Sequence, residues 1–218
     1  MTNEEISQGV VNTHAFYGDP VTAADYVEKT QGLSVLLTPF LVAVSMGKDK
    51  PWSELRVLDA GCGSGRDAKD FEAMGLQVEA IDASPALVQK ARERTKAQVY
   101  LRRFQDFCVP KPRFDGIWAQ ASLLHVPPKE LPDVVFRLAS ALKPGGVLWA
   151  TFKYGRKPTI DSRGRFFTNM TKASASRLFK NCPILDHDQV VCKVESGSSS
   201  GGEQTSWVTV YGFKKQVQ

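Results

Sequence analysis

Cysteine, histidine and long apolar runs are all scarce in this chain, and each scarcity removes a class of protein. The four cysteines, Cys62, Cys108, Cys182 and Cys192, form no CxxC pair, and there are only three histidines in 218 residues. That spacing leads us to expect neither a zinc site nor a disulfide framework, and no other metal. No apolar run is long enough to cross a bilayer, and residues 1–11 carry acidic groups where a secretory leader has positive charge and an apolar core. The expectation is a soluble, cytoplasmic protein without a membrane partner. Net charge is modest too: +5 permits contact with an anionic partner but does not by itself indicate nucleic acid.

What is present is apolar residue enough, 42%, for a proper core in a chain whose length fits one structural domain. Strand-like runs are expected at 55–60, 77–82, 98–102, 114–121 and 147–152, alternating with helical patterns at 67–74, 85–95 and 128–142. Repeated strand and helix imply a parallel sheet. Lys143, Pro144, Gly145 and Gly146 are expected to stop the helix before the fifth strand. A helix at 171–180 has Thr171 as its N-cap. Strand-like runs at 187–194 and 206–214 flank a Ser/Gly-rich stretch, 195–202, read as a flexible connection that cannot pack. The sheet should therefore end in an antiparallel hairpin. Helical patterns at 23–30 and 34–45 suit a lid or cap, so residues 1–50 are read as an N-terminal helical cap and 51–218 as the core.

The most informative stretch is VLDAGCGSGRD at 57–67, an apolar run ending in a carboxylate and followed by glycines at alternate positions. It reads as a strand, a tight turn and a helix start. Glycines at 61, 63 and 65 let the backbone take positive φ and let a ligand approach its amides. Asp59 closes the first strand and Asp82 the second, where a carboxylate can hold ribose hydroxyls beyond the strand ends. Taken alone, the turn could equally begin a dinucleotide site or serve packing, and Asp82 could simply lead into the cap of the next helix. Cys62 reads as a small residue that fits, since no base adjoins it.

The ordered set VLDAGCGSGRD, then Val78 to Pro85 (VEAIDASP), then Phe114 Asp115 Gly116 Ile117, then Leu142 Lys143 Pro144 Gly145 Gly146, resembles the motifs of class I S-adenosylmethionine-dependent methyltransferases. The resemblance spans about residues 15 to 170. It implies a Rossmann-like α/β fold, with a seven-stranded, mostly parallel sheet, an antiparallel C-terminal hairpin and helices on both faces. The implied cofactor is S-adenosylmethionine, released as S-adenosylhomocysteine. Ala60, Gly61, Gly63 and Gly65 would lie against its methionine part, Asp59 would hold the ammonium, and Asp82, Ala83 and Ser84 would take the ribose. Gln105, Asp106 and Phe107 are the implied adenine contacts, although FQDF at 104–107 departs from the family's usual acidic signature. Gln120 follows the fourth strand beside the cofactor.

Methyl transfer from a sulfonium needs alignment and exclusion of water, and a base only where the acceptor must lose a proton. His125, in the loop after the fourth strand, is the candidate base, against the plainer reading that it fixes the loop. Beyond the fifth strand Lys153, Arg156, Lys157, Arg163, Arg165, Lys172, Arg177 and Lys180 are answered only by Asp161. This stretch is either a solvated surface or the grip for an acceptor of anionic character.

Phe152 Lys153 Tyr154 Gly155 and Gly164 Arg165 Phe166 Phe167 Thr168 are similar to segments of a tellurite-resistance-type subgroup. Phe16 Tyr17 Gly18 Asp19 and Asp25 Tyr26 Val27 are similar to its lid. That likeness places Tyr17, Tyr26, Lys153, Tyr154 and Arg165 around a small-molecule acceptor, and it does not identify the acceptor. The competing reading is an RNA or protein methyltransferase docking through residues 153–180, and a further one is a non-catalytic regulator that binds the cofactor. No appended RNA-binding motif is visible, so nucleic acid is not the expected partner. The chain is expected as a monomer or homodimer.

Overall fold

The computed structural model describes residues 1–29, 36–198 and 204–216. Its centre is a seven-stranded sheet. Five strands, β1 (Arg56–Ala60), β2 (Gln77–Asp82), β3 (Gln98–Leu101), β4 (Phe114–Ala119) and β5 (Leu142–Lys153), run parallel. A separate two-stranded hairpin, β6 (Thr159–Ile160) with β7 (Phe166–Phe167), follows. The sheet closes with β8 (Val191–Ser198) and β9 (Gln204–Phe213), giving the order β3-β2-β1-β4-β5-β9-β8 with β9 antiparallel to both neighbours. The chain winds outward from β1 to β3 and then crosses back to β4. The crevice at this reversal, beyond the carboxyl ends of β1 and β4, is where such sheets bind ligands.

Both faces are covered, which is why the central strands read as continuous apolar runs; every residue of β4 is buried. On one face α6 (Leu131–Ser140) and α7 (Lys172–Lys180) pack over Leu58, Ile117 and Leu148. On the other, α3 (Leu37–Ser45) and α4 (Arg66–Ala73) bring Phe40 and Phe71 onto Trp118 and Trp149 of the sheet, with Trp149 stacked 4.5 Å from Tyr211. Gly116 permits this: a Cβ there would run into Val44 and Phe40 of α3. Thus α3 sits in the core beneath the sheet, while α1 (Asn3–Gly18) runs across the crevice and α2 (Pro20–Lys29) follows it. Helix α5 (Pro85–Arg94) starts where its sequence predicts, with Ser84 accepting from the Leu87 amide and proline at the first position.

Three expectations need correction. Leu142 pairs with Phe114 as part of β5, and the Pro144–Gly145 turn bulges from the strand rather than breaking before it. Residues 195–198 are strand, paired with 204–207; main-chain pairing needs no large side chains, and the Trp207 ring covers Gly197. At the other end of that strand, residues 187–189 form a short helical turn led by Asp186, so pairing begins only at Val191. The remaining residues of the Ser/Gly stretch, 199–203, lie outside the described ones. Helix α1 had no apolar stripe to reveal it, because its buried face is Gly9 and Thr13.

Candidate functional site

The turn after β1 is held by its own backbone. The Gly61 and Cys62 amides both donate to the Ile81 carbonyl, at 2.8 and 3.0 Å, while the Gly63 amide donates to Asp82 Oδ2 at 2.9 Å. Gly61 adopts φ +82°, and a Cβ there would fall onto the Ser122 side chain. No other residue fits that approach. Gly65, also at positive φ, begins α4 and packs against Ala91, beneath the cavity rather than in its wall. The Ala60 carbonyl accepts from Ser122 Oγ at 2.7 Å, tying the β1 turn to the loop after β4.

Two carboxylates end the central strands. Asp82 Oδ1 accepts from the Ser84 amide at 2.8 Å, so with Gly63 each oxygen holds one backbone hydrogen. A carboxylate has about four acceptor sites, so capacity for two hydroxyls remains. Burial pushes its pKa up despite those amides. Asp59 is 3% exposed, and its Oδ2 has no hydrogen-bond partner. Burial first and the nearby Asp67 second raise its pKa well above the ordinary carboxylate range. Asp67 itself accepts from Arg66 Nε at 2.6 Å and from the Trp118 indole at 2.9 Å. A buried acceptor without a donor is costly, and here it lines a small cavity of about 30 Å³ together with Cys62 and Gln120. Gln120 accepts from Thr151 Oγ1 at 3.2 Å, and the same hydroxyl accepts from the Ala121 amide at 2.8 Å. Ala121 stands at φ +48°, the one described non-glycine residue in the left-handed region. Backbone strain of that kind gathers at binding sites.

A larger cavity of about 120 Å³ adjoins the turn and is lined by Gly61, Gly63, Asp82, Ala83, Ser84, Gln105 and His125, with Tyr17 from α1 above. Phe104 also lines it, and its ring reaches the Gly61 Cα region. This replaces Phe107, which is 5% exposed and turned into the main core, as the aromatic wall. Asp106 is exposed and paired with Arg103 on the outer surface. The short helical turn at 104–106 carries the exchange: Phe104 and Gln105 face the cavity, Asp106 faces outward and Phe107 enters the core. Gln105 keeps its place on the cavity and donates to Glu130 at 2.7 Å.

The other wall comes from distant sequence. His125 Nδ1 lies 2.7 Å from the Phe166 carbonyl and Nε2 lies 3.3 Å from the Tyr17 hydroxyl. Burial pulls its pKa down to about 4, so the ring is neutral at neutral pH. Burial also pushes the Tyr17 phenol up, against the pull of Arg165. Arg165, 6% exposed, is gripped by Asp161 through Nε at 2.9 Å and Nη2 at 2.7 Å, and donates from Nη1 to the Tyr17 hydroxyl at 3.0 Å. Its guanidinium also lies over the Phe16 and Phe167 rings, at 4.9 and 5.2 Å. Lys153 sits 3.9 Å over the Phe167 ring, outside the cavity wall. Tyr154, the residue after β5, is 48% exposed and borders a shallow groove with Arg156 and Lys172, apart from the cavity at His125. The side chain of Tyr26 lies outside what is described.

Sequence reasoning missed Phe104, Thr13, Asp161 and Phe166. Thr13 carried a signal: a hydroxyl on a helix face, which here accepts from the Phe166 amide at 2.7 Å and docks α1 onto β7.

Comparison with known proteins now bears on this crevice. Residues 57–146 match the methyltransferase domain family. The match runs from the glycine turn to the end of the Pro144–Gly146 turn, so it contains the whole glycine and carboxylate side of the site. A malonyl-[acyl-carrier protein] O-methyltransferase of Erwinia pyrifoliae is 29% identical over 139 residues, which are 63% of this chain and 51% of that protein. A ubiquinone biosynthesis O-methyltransferase of Xanthomonas campestris is 37% identical over 101 residues, 43% of this chain and 41% of that protein. The chain thus aligns with about half the length of the curated relatives it matches. A crystal structure of an S-adenosylmethionine-dependent methyltransferase from Methanosarcina mazei superposes with a TM-score of 0.69 at 18% identity, over 86% of this chain and all of that one. The fold is that of the class I methyltransferases.

The residues fit the cofactor this fold implies. The unpartnered Asp59 oxygen suits an ammonium, the glycine turn leaves room against its backbone, and Asp82 retains capacity for ribose hydroxyls. Among the described residues no cluster could hold a metal ion, and no helix is long and apolar enough to cross a membrane.

Proposed function

We propose that this chain is an enzyme that transfers a methyl group from S-adenosylmethionine to a small acceptor and releases S-adenosylhomocysteine. The observation that carries this reading is the buried, unpartnered Asp59 oxygen facing a small cavity beside the glycine turn. The cofactor supplies an electrophilic methyl on a sulfonium, whose departure needs no acid. Asp59 and Asp82 bind and orient, while Phe104 and Gln105 line the adenine side. Helix α1 roofs the cavity and excludes water, and a dry, aligned site accounts for most of the acceleration such a displacement needs.

His125 is the candidate base. The Phe166 carbonyl can only accept, so it holds the proton on Nδ1 and leaves the Nε2 lone pair toward Tyr17 and the cavity. An acceptor bearing a hydroxyl or amine could pass its proton to the Tyr17 oxygen as the tyrosine hydrogen moves to Nε2.

The anionic character of the acceptor is the finer part of the proposal. It rests on the excess of Lys and Arg over residues 153–180, and not on Arg165, whose fork already holds Asp161 and Tyr17. The likeness to tellurite-resistance-type enzymes rests on the words around Tyr17, Lys153 and Arg165 and carries no acceptor with it. The Erwinia relative's name favours a second reading, an acceptor carried on an acyl-carrier protein and met by the basic stretch at 153–180.

The test is incubation with methyl-labelled cofactor and separated fractions of metabolites, protein and RNA. Label in metabolites is expected, and label in RNA or in bulk protein overturns the small-acceptor reading. His125→Gln should retain cofactor binding and lower turnover by about 10²-fold or more if proton removal limits the reaction.

A further inference from the structure

The hairpin β6–β7 brings an ion pair to the acceptor wall, Arg165 buried and Asp161 partly so, and its geometry says which partner it serves. Arg165 spends Nε and Nη2 on Asp161 and Nη1 on the Tyr17 hydroxyl, and its guanidinium lies over the Phe16 and Phe167 rings. Asp161 in turn is built into the hairpin: its Oδ1 accepts from the Arg163 and Arg165 amides at 3.0 and 2.9 Å, and Gly164 at φ +77° makes the turn that allows this. A guanidinium held so firmly is poorly placed to meet an incoming anion.

Its effect on Tyr17 follows from which groups can donate. A guanidinium only donates, so the Tyr17 oxygen must accept from Nη1. At the far end the Phe166 carbonyl only accepts, so His125 carries its proton on Nδ1. Between these two fixed ends the Tyr17 hydrogen can serve His125 Nε2, which lies 3.3 Å away. We propose that the Asp161–Arg165 pair is a positioning device that sets the Tyr17 hydroxyl on His125 Nε2, and not an anion-binding element for the acceptor. This rests on the methyl-transfer reading for its purpose but not for its geometry.

The same tyrosine is tied to the cofactor side. Its backbone carbonyl accepts from Ser84 Oγ at 2.6 Å, two residues beyond Asp82. Tyr17 therefore joins the ribose loop to the base through one residue, and the ion pair holds the second end of that link.

The experiment is a ¹⁵N-histidine NMR spectrum of the full chain with S-adenosylhomocysteine as the probe ligand. The three histidines are told apart by His14→Gln and His187→Gln. In the unaltered chain His125 is expected as the Nδ1–H form with a hydrogen-bonded Nε2, and Tyr17→Phe should move Nε2 toward the position of an unbonded imidazole nitrogen. The double variant Asp161→Asn/Arg165→Met, which leaves no buried charge unpaired, should move it to the same place with unchanged affinity for the probe. Arg165→Lys keeps a charge for Asp161 but lacks the fork that spans both partners, and it should move the resonance in the same direction. An Nε2 resonance at its original position in either folded variant overturns the proposal. If the unaltered chain does not bind the probe, the methyl-transfer reading fails, and the His125 resonance still decides the role of the pair.

Discussion

The two walls of the crevice are built in opposite ways. On the cofactor side every group comes from the end of a strand or the turn that follows it, and most of the contacts are made by backbone amides around Asp59, Gly61, Gly63 and Asp82. On the acceptor side the groups are side chains from segments far apart: Thr13 and Tyr17 from α1, His125 from the loop after β4, and Asp161, Arg165 and Phe166 from a hairpin more than a hundred residues from α1. A backbone cradle varies little with sequence and suits a shared cofactor. A wall of side chains can be exchanged piece by piece, and on the proposed reading this is where acceptor choice would reside.

The sharpest break of the comparison is Asp59→Asn. Loss of the carboxylate should weaken S-adenosylhomocysteine binding about 10- to 100-fold by calorimetry, the worth of one charged hydrogen bond. Because burial and Asp67 raise the Asp59 pKa, its charge costs stability in the free protein. The variant without ligand should therefore melt higher, by about 2–4 °C for each kcal/mol recovered. Equal melting temperatures with full binding would mean that Asp59 does not hold the ligand.

The acceptor wall makes the opposite kind of contribution to stability. His125 has a folded pKa of about 4, below its unfolded value near 6.5, so the folded state takes up its proton later than the unfolded one. Stability from this group is complete above about pH 6.5 and declines as pH falls toward 4, by no more than about 3 kcal/mol. Asp59 and Asp82, with raised pKa values, oppose that slope. Denaturant titrations of the unaltered chain and of His125→Gln across this range isolate the effect, and parallel curves would refute it.

The smallest effect is expected where the two walls join. Ser84→Ala removes an N-cap and the bond to the Tyr17 carbonyl, about 1–2 kcal/mol together. It should also loosen probe binding modestly, whereas loss of the cap alone would lower stability with binding unchanged.

The contrast also explains what could be read in advance. The alternation of strand and helix, the glycine turn, Asp82 and the Ser84 cap are local, and local chemistry is written in consecutive residues. Even there the face mattered: FQDF at 104–107 held the aromatic wall, and only the helical turn decided that Phe104 and not Phe107 supplies it. The basic stretch of 153–180 showed its charges but not their partners, so Arg165 looked available until the hairpin folded Asp161 onto it. Helix α1 escaped notice because a helix docking through glycine and threonine shows no apolar period.

The sequence by itself determined the parallel sheet, the order of its strands' ligand-bearing ends and the backbone cradle at 59–65, because those depend on periodicity and on glycine's freedom within a few residues. Only the tertiary structure decided the other wall. Which hydroxyl meets His125 and Arg165 and which helix roofs the cavity depend on contacts across more than a hundred residues, for which no local pattern exists, while the turn of the β6–β7 hairpin decided which anion holds Arg165.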